Sequence, residues 1–391
     1  MESLNLGKIY IPRTIEPLIK GQLFKGKVIV IYGARQVGKT TLVKKLVSEL
    51  SKKTSTYLNC DEADIQSRLN EADTSTKLRS IAGDREIVVI DEAQRIKNIG
   101  LKLKLLIDTY PNQQFIATGS SSFELSDEIS EPLTGRSLEY WLHPLSLVEL
   151  YNAFGELELT RNLENIMIYG SYPNVVDVVS EQDKRAIINN IATNYLYKDV
   201  LKFGGLKSAE IIRSLLRALA LQVGSEVSYS EIAQLIGVSK ETVSNYIELL
   251  EKVYIIFRLN PLSRNLRKEI GKLRKIYFYD VGIRNALINN QNPLNMRSDV
   301  GALWENLMIA EKKKQENFIG NKLSLYFWRT YDQQEIDLVE EKGGGLWAYE
   351  FKWRKNKAKK PPKAWIDGYP NSAWDVITNE NFNTSYVLPH T

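Results

Sequence analysis

The chain has 391 residues, enough for two or three domains, with 43% hydrophobic and 25% charged residues, the balance of a globular protein with a full core. A single cysteine excludes a disulfide framework and fits a reducing, cytoplasmic compartment, and with only two histidines a zinc cluster or a histidine-driven triad lacks its residues, so a catalytic metal is expected among oxygen ligands, as Mg²⁺ or Mn²⁺. The net charge of +5 is too mild to identify an anionic partner, no apolar stretch reaches the length of a membrane span, and the first residues do not read as a signal peptide.

Residues 1–26 read as a lead-in in which Pro12 and Pro17 bracket a short helical stretch. The apolar run Val28–Tyr32 then predicts a buried strand, and Thr41–Val47 a helix. Between them lies Gly33-Ala34-Arg35-Gln36-Val37-Gly38-Lys39-Thr40, spaced G-x-x-x-x-G-K-T. A triphosphate needs a ring of backbone N–H donors, which side chains at the glycines would obstruct, and a helix N-terminus that favours anions. Lys39 is expected to neutralise the outer phosphates, Thr40 to hold Mg²⁺, and Thr41 to complete the ATP-binding set.

Ser55–Cys60 predicts a second strand, and Arg79–Asp84 closes a polar helical segment. Ile87-Val88-Val89-Ile90-Asp91-Glu92 predicts a buried strand ending in two acids. Asp91 is placed to reach Mg²⁺ and Glu92 to polarise the attacking water. The next strand, Gln114–Thr118, leads into Gly119-Ser120-Ser121-Ser122, where Ser120 is assigned the sensing of the γ-phosphate. Arg136, before a fifth strand at Ser137–Leu142, is either an arginine finger acting across a subunit boundary or a surface arginine. The first alternative implies an assembly of copies.

The segments GARQVGKTTL, IVVIDEAQR, FIATGSSS and LTGR resemble the AAA+ ATPase domain of a large bacterial and archaeal family in which a C-terminal domain long labelled as of unknown function follows. YGSYPNVV, YLYKDV, EIDLV and YEFKW are similar to its pattern too, so the resemblance runs over roughly residues 10–355. It implies a parallel five-stranded core with one extra strand between the strand before the phosphate loop and the strand of Asp91, an arrangement that orders Glu92 for hydrolysis.

Residues 145–225 read as helical, with Glu181–Asp199 and Ser208–Gln222 the clearest helices. Ser228-Tyr229-Ser230-Glu231 is a capping-box pattern that opens a helix carrying Ile232, Leu235 and Ile236. Gly237 permits a turn, and Ser239 caps a second helix with Val243, Tyr246, Ile247 and Leu250 inward and Lys240, Glu241, Thr242, Ser244 and Asn245 outward. This is a helix-turn-helix pattern, in which the start of the second helix meets base edges. The apolar strands Tyr254–Phe257 and Ile276–Phe278 would form a wing around the basic run that holds Arg258, Arg264, Arg267, Lys268, Lys272, Arg274 and Lys275. Lys240, Thr242, Asn245, Arg264, Arg267 and Lys268 are therefore the expected DNA contacts, the alternative being a winged helix used for protein contact.

Gly301–Lys314 predicts a helix carrying Glu305, and Leu323–Trp328 a strand. Glu335–Glu340 and Leu346–Lys352 predict two strands joined through Gly343-Gly344-Gly345, a pairing that sets Asp337 opposite Glu350 with Lys352 on the same face. A second basic run, from Lys352 to Lys363, holds no acid. Glu305, Asp337, Glu350 and Lys352 resemble the helix acid, central acid and E-x-K of the PD-(D/E)xK nuclease core, although Ile336 stands where that pattern has proline. The resemblance implies Mg²⁺ at Glu305, Asp337 and Glu350. The alternatives are a nuclease fold kept for binding DNA and an unrelated charged hairpin. Trp304, Trp328, Trp347 and Trp353 are read as core.

The expected fold class is α/β. Residues 1–148 form a parallel-sheet P-loop ATPase domain, 149–280 a helical region with the winged helix, and 281–391 an α+β nuclease-like domain. The expected function is Mg²⁺-dependent ATP hydrolysis coupled to DNA processing or remodelling. Two readings compete with it: a nucleotide-controlled switch on a protein partner with an inert nuclease-like domain, and a DNA-binding protein that uses ATP only to assemble.

Overall fold

The computed structural model describes residues 10–50, 52–119, 131–195, 209–262, 274–316, 323–354 and 360–387. These residues divide into two compact units. The first consists of Pro12–His143 with Lys252–Tyr254, and the second holds the remaining described residues.

In the first unit, α1 (Glu16–Lys20) precedes β1 (Val28–Tyr32), α2 (Lys39–Glu49), β2 (Ser55–Asn59), α3 (Ala63–Glu71), α4 (Ser75–Ala82), β3 (Ile87–Asp91), α5 (Ile99–Thr109), β4 (Gln114–Gly119) and β5 (Ser137–Trp141). Pro17 stands in the first turn of α1 rather than closing the helix, because that turn needs no intrahelical N–H from it. The five strands form one sheet in the order β2-β3-β4-β1-β5, and every pairing is parallel. β1 and β3 are buried along their whole length, as continuous apolar runs must be when helices cover both faces of a sheet. The extra strand implied by the family resemblance is β4, which separates β1 from β3. The free Cys60 is buried, and burial with Asp91 nearby pushes its thiol up to about 12.

The second unit begins with the helices α6 (Leu147–Phe154), α7 (Glu156–Tyr169), α8 (Pro173–Val176) and α9 (Glu181–Asn190). The helix expected over Glu181–Asp199 is α-helical as far as Asn190. A π-helical turn, Ile191–Tyr195, follows it, and residues 196–199 lie outside the described residues. Next come α10 (Ala209–Leu221), β6 (Glu226–Val227), α11 (Tyr229–Ile236), α12 (Lys240–Lys252), β7 (Ile256–Pro261), β8 (Arg274–Phe278) and α13 (Val281–Leu287). The chain ends through α14 (Val300–Gln315), β9 (Ser324–Arg329), β10 (Glu335–Lys342), β11 (Gly345–Phe351), α15 (Lys363–Gly368) and β12 (Ala373–Ile377).

A single seven-stranded sheet in the order β12-β11-β10-β9-β7-β8-β6 runs through this unit. No sheet boundary falls at residue 280, since β7 pairs in parallel with β9 at Asn260 and Pro261. Strands on either side of that expected boundary thus share one hydrogen-bonded ladder. Trp304 and Trp328 are core residues, whereas Trp347 is 37% exposed.

An ion-pair network ties α13 to its surroundings. Arg284 donates to the Ala220 carbonyl at 2.8 Å and pairs with Asp299, which also accepts from Arg297 at 2.8 and 2.9 Å. Burial alone would raise the Asp299 carboxyl, but the two guanidiniums hold it down at about 2. A carboxyl depressed in the fold contributes stability above its unfolded pKa of ~4 and loses that contribution as the pH falls toward 2. Asp299→Asn is therefore expected to unfold more easily at pH 7 and to show a shallower loss of stability between pH 4 and 2, as followed by denaturant titration across that range. Equal slopes for the two proteins would remove Asp299 from the acid response.

Candidate functional site

β1 delivers the chain to Gly33, where an added Cβ would run into the Leu142 carbonyl oxygen. The loop ends at Gly38, whose left-handed backbone opens α2 with no side-chain cap, leaving the first N–H groups of that helix without a side-chain acceptor from its cap. Gln36 also adopts a positive φ, of 64°, a strained conformation for a side-chain-bearing residue. Ala34 and Val37 are buried, and Thr41 is exposed. The buried Lys39 ammonium donates to the carbonyls of Gly33 at 2.9 Å and Ala34 at 3.0 Å, so it sits folded over the loop that it would neutralise.

Asp91, 5% exposed at the end of β3, gathers three hydroxyls. Thr40 donates to its Oδ2 at 2.8 Å, Tyr57 donates to the same oxygen, and Thr118 donates to Oδ1. Burial and the nearby Asp91 charge push the Tyr57 phenol up, which keeps it a donor. Glu92 follows in a left-handed conformation (φ 56°) that turns the chain away from the strand. Its N–H donates to Thr118 Oγ1 at 3.2 Å, and Gln94 Nε2 donates to its Oε2 at 2.5 Å. Thr40 and Asp91 thus lie together as an oxygen pair suited to Mg²⁺, beside a cradle suited to phosphates. ATP with Mg²⁺ fits the residues present.

In the second unit, the β10–β11 pairing of Leu338 with Tyr349 continues the register that sets Asp337 opposite Glu350. The β9–β10 pairing shifts register between Ile336 and Val339, a bulge that locally re-aims the strand at Asp337. Asp337 Oδ2 accepts from the Phe351 N–H at 2.8 Å, and Lys352 pairs with Glu350 at 2.7 Å. Glu305, on α14, accepts from Tyr277 at 2.6 Å and from Lys275 at 3.2 Å, while Lys275 also pairs with Glu335. Burial, with Glu305 and Glu350 adding repulsion, pushes Asp337 up to about 8. Glu305, Asp337 and Glu350 share one region, but among the described residues no group of three or more His, Cys, Asp or Glu side chains converges so that it could hold a metal ion.

The start of α12 carries exposed Lys240 and Asn245 and half-buried Thr242, above buried Val243, Ile247 and Leu250. Gly237, left-handed at φ 71°, makes the turn after α11, and Ser239 Oγ accepts from the Thr242 N–H at 3.1 Å. Leu235 on α11 is 70% exposed, and Tyr246, expected to face inward, is only partly buried. Arg258 and Lys275, counted with the first basic run, are both engaged internally: Arg258 pairs with Glu251, and Lys275 is buried between Glu305 and Glu335. Arg264, Arg267 and Lys268 lie outside the described residues.

Residues 25–151 match the family model described as AAA domain. A Walker-type ATPase of Pyrococcus abyssi superposes with a TM-score of 0.50 at 17% identity, covering 71% of this chain and 96% of that one, a likeness of fold alone. The first unit is a P-loop ATPase-like domain, similar to the AAA type. Beyond it, residues 160–294 and 300–386 match two domains of unknown function, DUF8612 and DUF4143. An uncharacterized protein of Mycobacterium tuberculosis is 27% identical over 337 residues, which cover 85% of this chain and 72% of the relative. One of Methanocaldococcus jannaschii is 27% identical over 338 residues, covering 82% and 74%. No described helix is long and apolar enough to cross a membrane.

In the ATPase domain Ser120 lies outside the described residues, and the nearest polar group at the end of β4 is Thr118, which bonds both Asp91 and the Glu92 N–H. Arg136 precedes β5 beside Val28, at the opposite end of the parallel sheet from Asp91, and pairs with Asp108 at 2.6 Å. The length of β1 separates it from the phosphate loop of its own chain, about 13 Å at ~3.3 Å per residue. Sequence reasoning missed Tyr57, Thr118 and Arg13. Arg13 is buried and donates to the carbonyls of Val37 at 2.8 Å and His143 at 2.6 Å, tying the lead-in to the phosphate loop. The alternation of the second strand could have pointed to Tyr57, but nothing local marks Arg13.

Proposed function

We propose that the chain hydrolyses ATP in the presence of Mg²⁺ and couples nucleotide state to DNA held by its C-terminal unit. The observation that carries the hydrolytic half is the convergence of Thr40, Thr118 and Tyr57 on Asp91, next to Lys39 and one residue before Glu92. When bound, Mg²⁺ supplies charge neutralisation on the phosphate oxygens, with Thr40 and Asp91 as the residues to hold it. Lys39 exchanges its two loop carbonyls for phosphate oxygens. Glu92 accepts hydrogen bonding from the attacking water and draws its proton, Gln94 keeps that carboxylate aimed, and Thr118 links the carboxylate at Asp91 to the backbone of Glu92. Arg136 serves a neighbouring copy if it serves a nucleotide at all, since its own site lies a strand length away.

The DNA half rests on the order α10-β6-α11-α12-β7-β8, which reads as a winged helix, and on the exposed polar start of α12. Among the described residues, Lys240 is the cation placed for a phosphate contact at the start of α12. The competing switch on a protein partner predicts hydrolysis without DNA affinity.

The test measures ATP hydrolysis with and without duplex DNA, and DNA affinity against salt, in the wild type, in Lys39→Ala and in a Lys240→Glu/Asn245→Ala double variant. DNA is expected to stimulate the wild type. Lys39→Ala is expected to lose hydrolysis, and the double variant to keep basal hydrolysis while losing DNA affinity and stimulation. Hydrolysis that survives Lys39→Ala would refute the phosphate-loop reading, and unchanged DNA binding in the double variant would remove α12 from the interface.

A further inference from the structure

Lys275 reaches the carboxylate cluster from β8, outside the segment in which the nuclease resemblance lies. Its side chain is 1% exposed. The ammonium sits 3.2 Å from Glu305 Oε1, pairs with Glu335, and lies 5.6 Å from the centre of the Phe327 ring. Burial works against this charge, but Glu305, Glu335 and Asp337 around it raise the lysine above its usual range. Oxygens of the cluster also have partners within the chain: Tyr277 donates to the Glu305 oxygen shared with Lys275, the Phe351 N–H donates to Asp337 Oδ2, and Lys352 pairs with Glu350 Oε1.

The residues therefore do not fit a divalent ion. A cation placed among Glu305, Asp337 and Glu350 would meet the Lys275 charge at close range. A cation that took these carboxylates from Lys275 would leave a buried ammonium without its partners. Its side chain is enclosed as well, 1% exposed beside the Phe327 ring, on a strand paired with Leu259 of β7 and Glu226 of β6. Lys352 differs, since its side chain is 45% exposed although it pairs with Glu350.

We infer that Lys275 is the resident cation of the C-terminal carboxylate cluster, so that this site takes no divalent metal and the unit holds DNA without cutting it. The second clause rests on the DNA reading above, whereas the first stands on the cluster alone. With Lys275 offsetting part of the acidic charge from inside, outward positive charge comes from Arg354, Lys360 and Lys363, all exposed. Such a surface binds the phosphate backbone without a bridging metal.

The experiment counts bound Mn²⁺ by electron paramagnetic resonance in the full chain without nucleotide. Every protein carries Asp91→Asn, which removes the metal oxygen of the ATPase site. The Asp91→Asn chain is expected to bind no Mn²⁺ at the cluster, to leave duplex DNA uncut in Mn²⁺, and to bind DNA equally well with EDTA. Adding Lys275→Met is expected to create one Mn²⁺ site, at least about tenfold tighter than the background, that Asp337→Asn then abolishes. A Mn²⁺ ion in the Asp91→Asn chain that Asp337→Asn removes would overturn the inference, as would cleavage lost with Asp337→Asn. A folded Lys275→Met protein that gains no site would remove Lys275 as the excluding group. Should Lys275→Met not fold, the Asp91→Asn and Asp91→Asn/Asp337→Asn pair decides the matter unaided. Absence of DNA binding in every protein would refute the DNA reading and leave the Mn²⁺ count standing.

Discussion

Glu92→Gln is expected to lower the rate of ATP hydrolysis on the order of a hundredfold to ten-thousandfold while ATP binding persists, the usual range for loss of a positioned base. Glutamine keeps the size of the side chain and can still pair with Gln94, whose Nε2 lies 2.5 Å from the present carboxylate. What it loses is the negative charge that draws a proton from water. The phosphate contacts are expected to remain, because Lys39 bonds the carbonyls of Gly33 and Ala34 and Thr40 bonds Asp91. Single-turnover hydrolysis together with equilibrium binding of a fluorescent ATP analogue separates the two effects. Equal loss of binding and hydrolysis would assign Glu92 a structural part, and unchanged hydrolysis would move the base elsewhere.

Gly282→Ala is expected to destabilise the C-terminal unit by about 3 kcal/mol, the upper end for overpacking, since the obstructing atoms cannot rotate away. Gly282 lies in the first turn of α13, where that helix crosses the end of α7. A Cβ there would run into the Tyr169 carbonyl and the Gly170 nitrogen, all backbone. The same junction is pinned by Asp280, which caps α13 through the Ile283 N–H at 3.0 Å and accepts from the Ser171 N–H at 2.8 Å. Asn285 adds bonds to the carbonyls of Met167 and Ile168, both at 2.9 Å. With the approach fixed from several sides, the added methyl must force the helices apart. Calorimetry should find the transition of this unit lowered by about 6–12 °C, with ATP binding by the first unit retained; a change below about 1 °C would show that α13 relaxes at little cost.

Much of the ATPase domain was legible in the sequence because its elements are marked locally. A continuous apolar run is a strand covered on both faces, and a glycine-spaced loop between strand and helix is a phosphate cradle, whatever surrounds them. β1, α2, β3 and β4 therefore stand within a residue or two of their expected places. The hairpin of β10 and β11 was equally readable, since Gly343 and Gly344, both with positive φ, set the turn and the turn sets Asp337 against Glu350.

Residues whose partners are distant in the chain could not be read this way. Arg13 meets Val37 and His143, Tyr57 and Thr118 meet Asp91, and Arg136 meets Asp108 at the far end of the sheet. Lys275 is the sharpest case. In sequence it belongs to a basic run and looks like a surface cation, yet strand pairing carries it inside, to acids 30 and 60 residues away, numbered 305 and 335. The residues themselves determined the phosphate loop, the acids after β3 and the turn residues, because those depend on backbone conformation and on neighbours a few positions away. Tertiary structure alone decided which charges face solvent and which neutralise one another, because burial and Coulomb energy depend on distances that only the packed sheet sets.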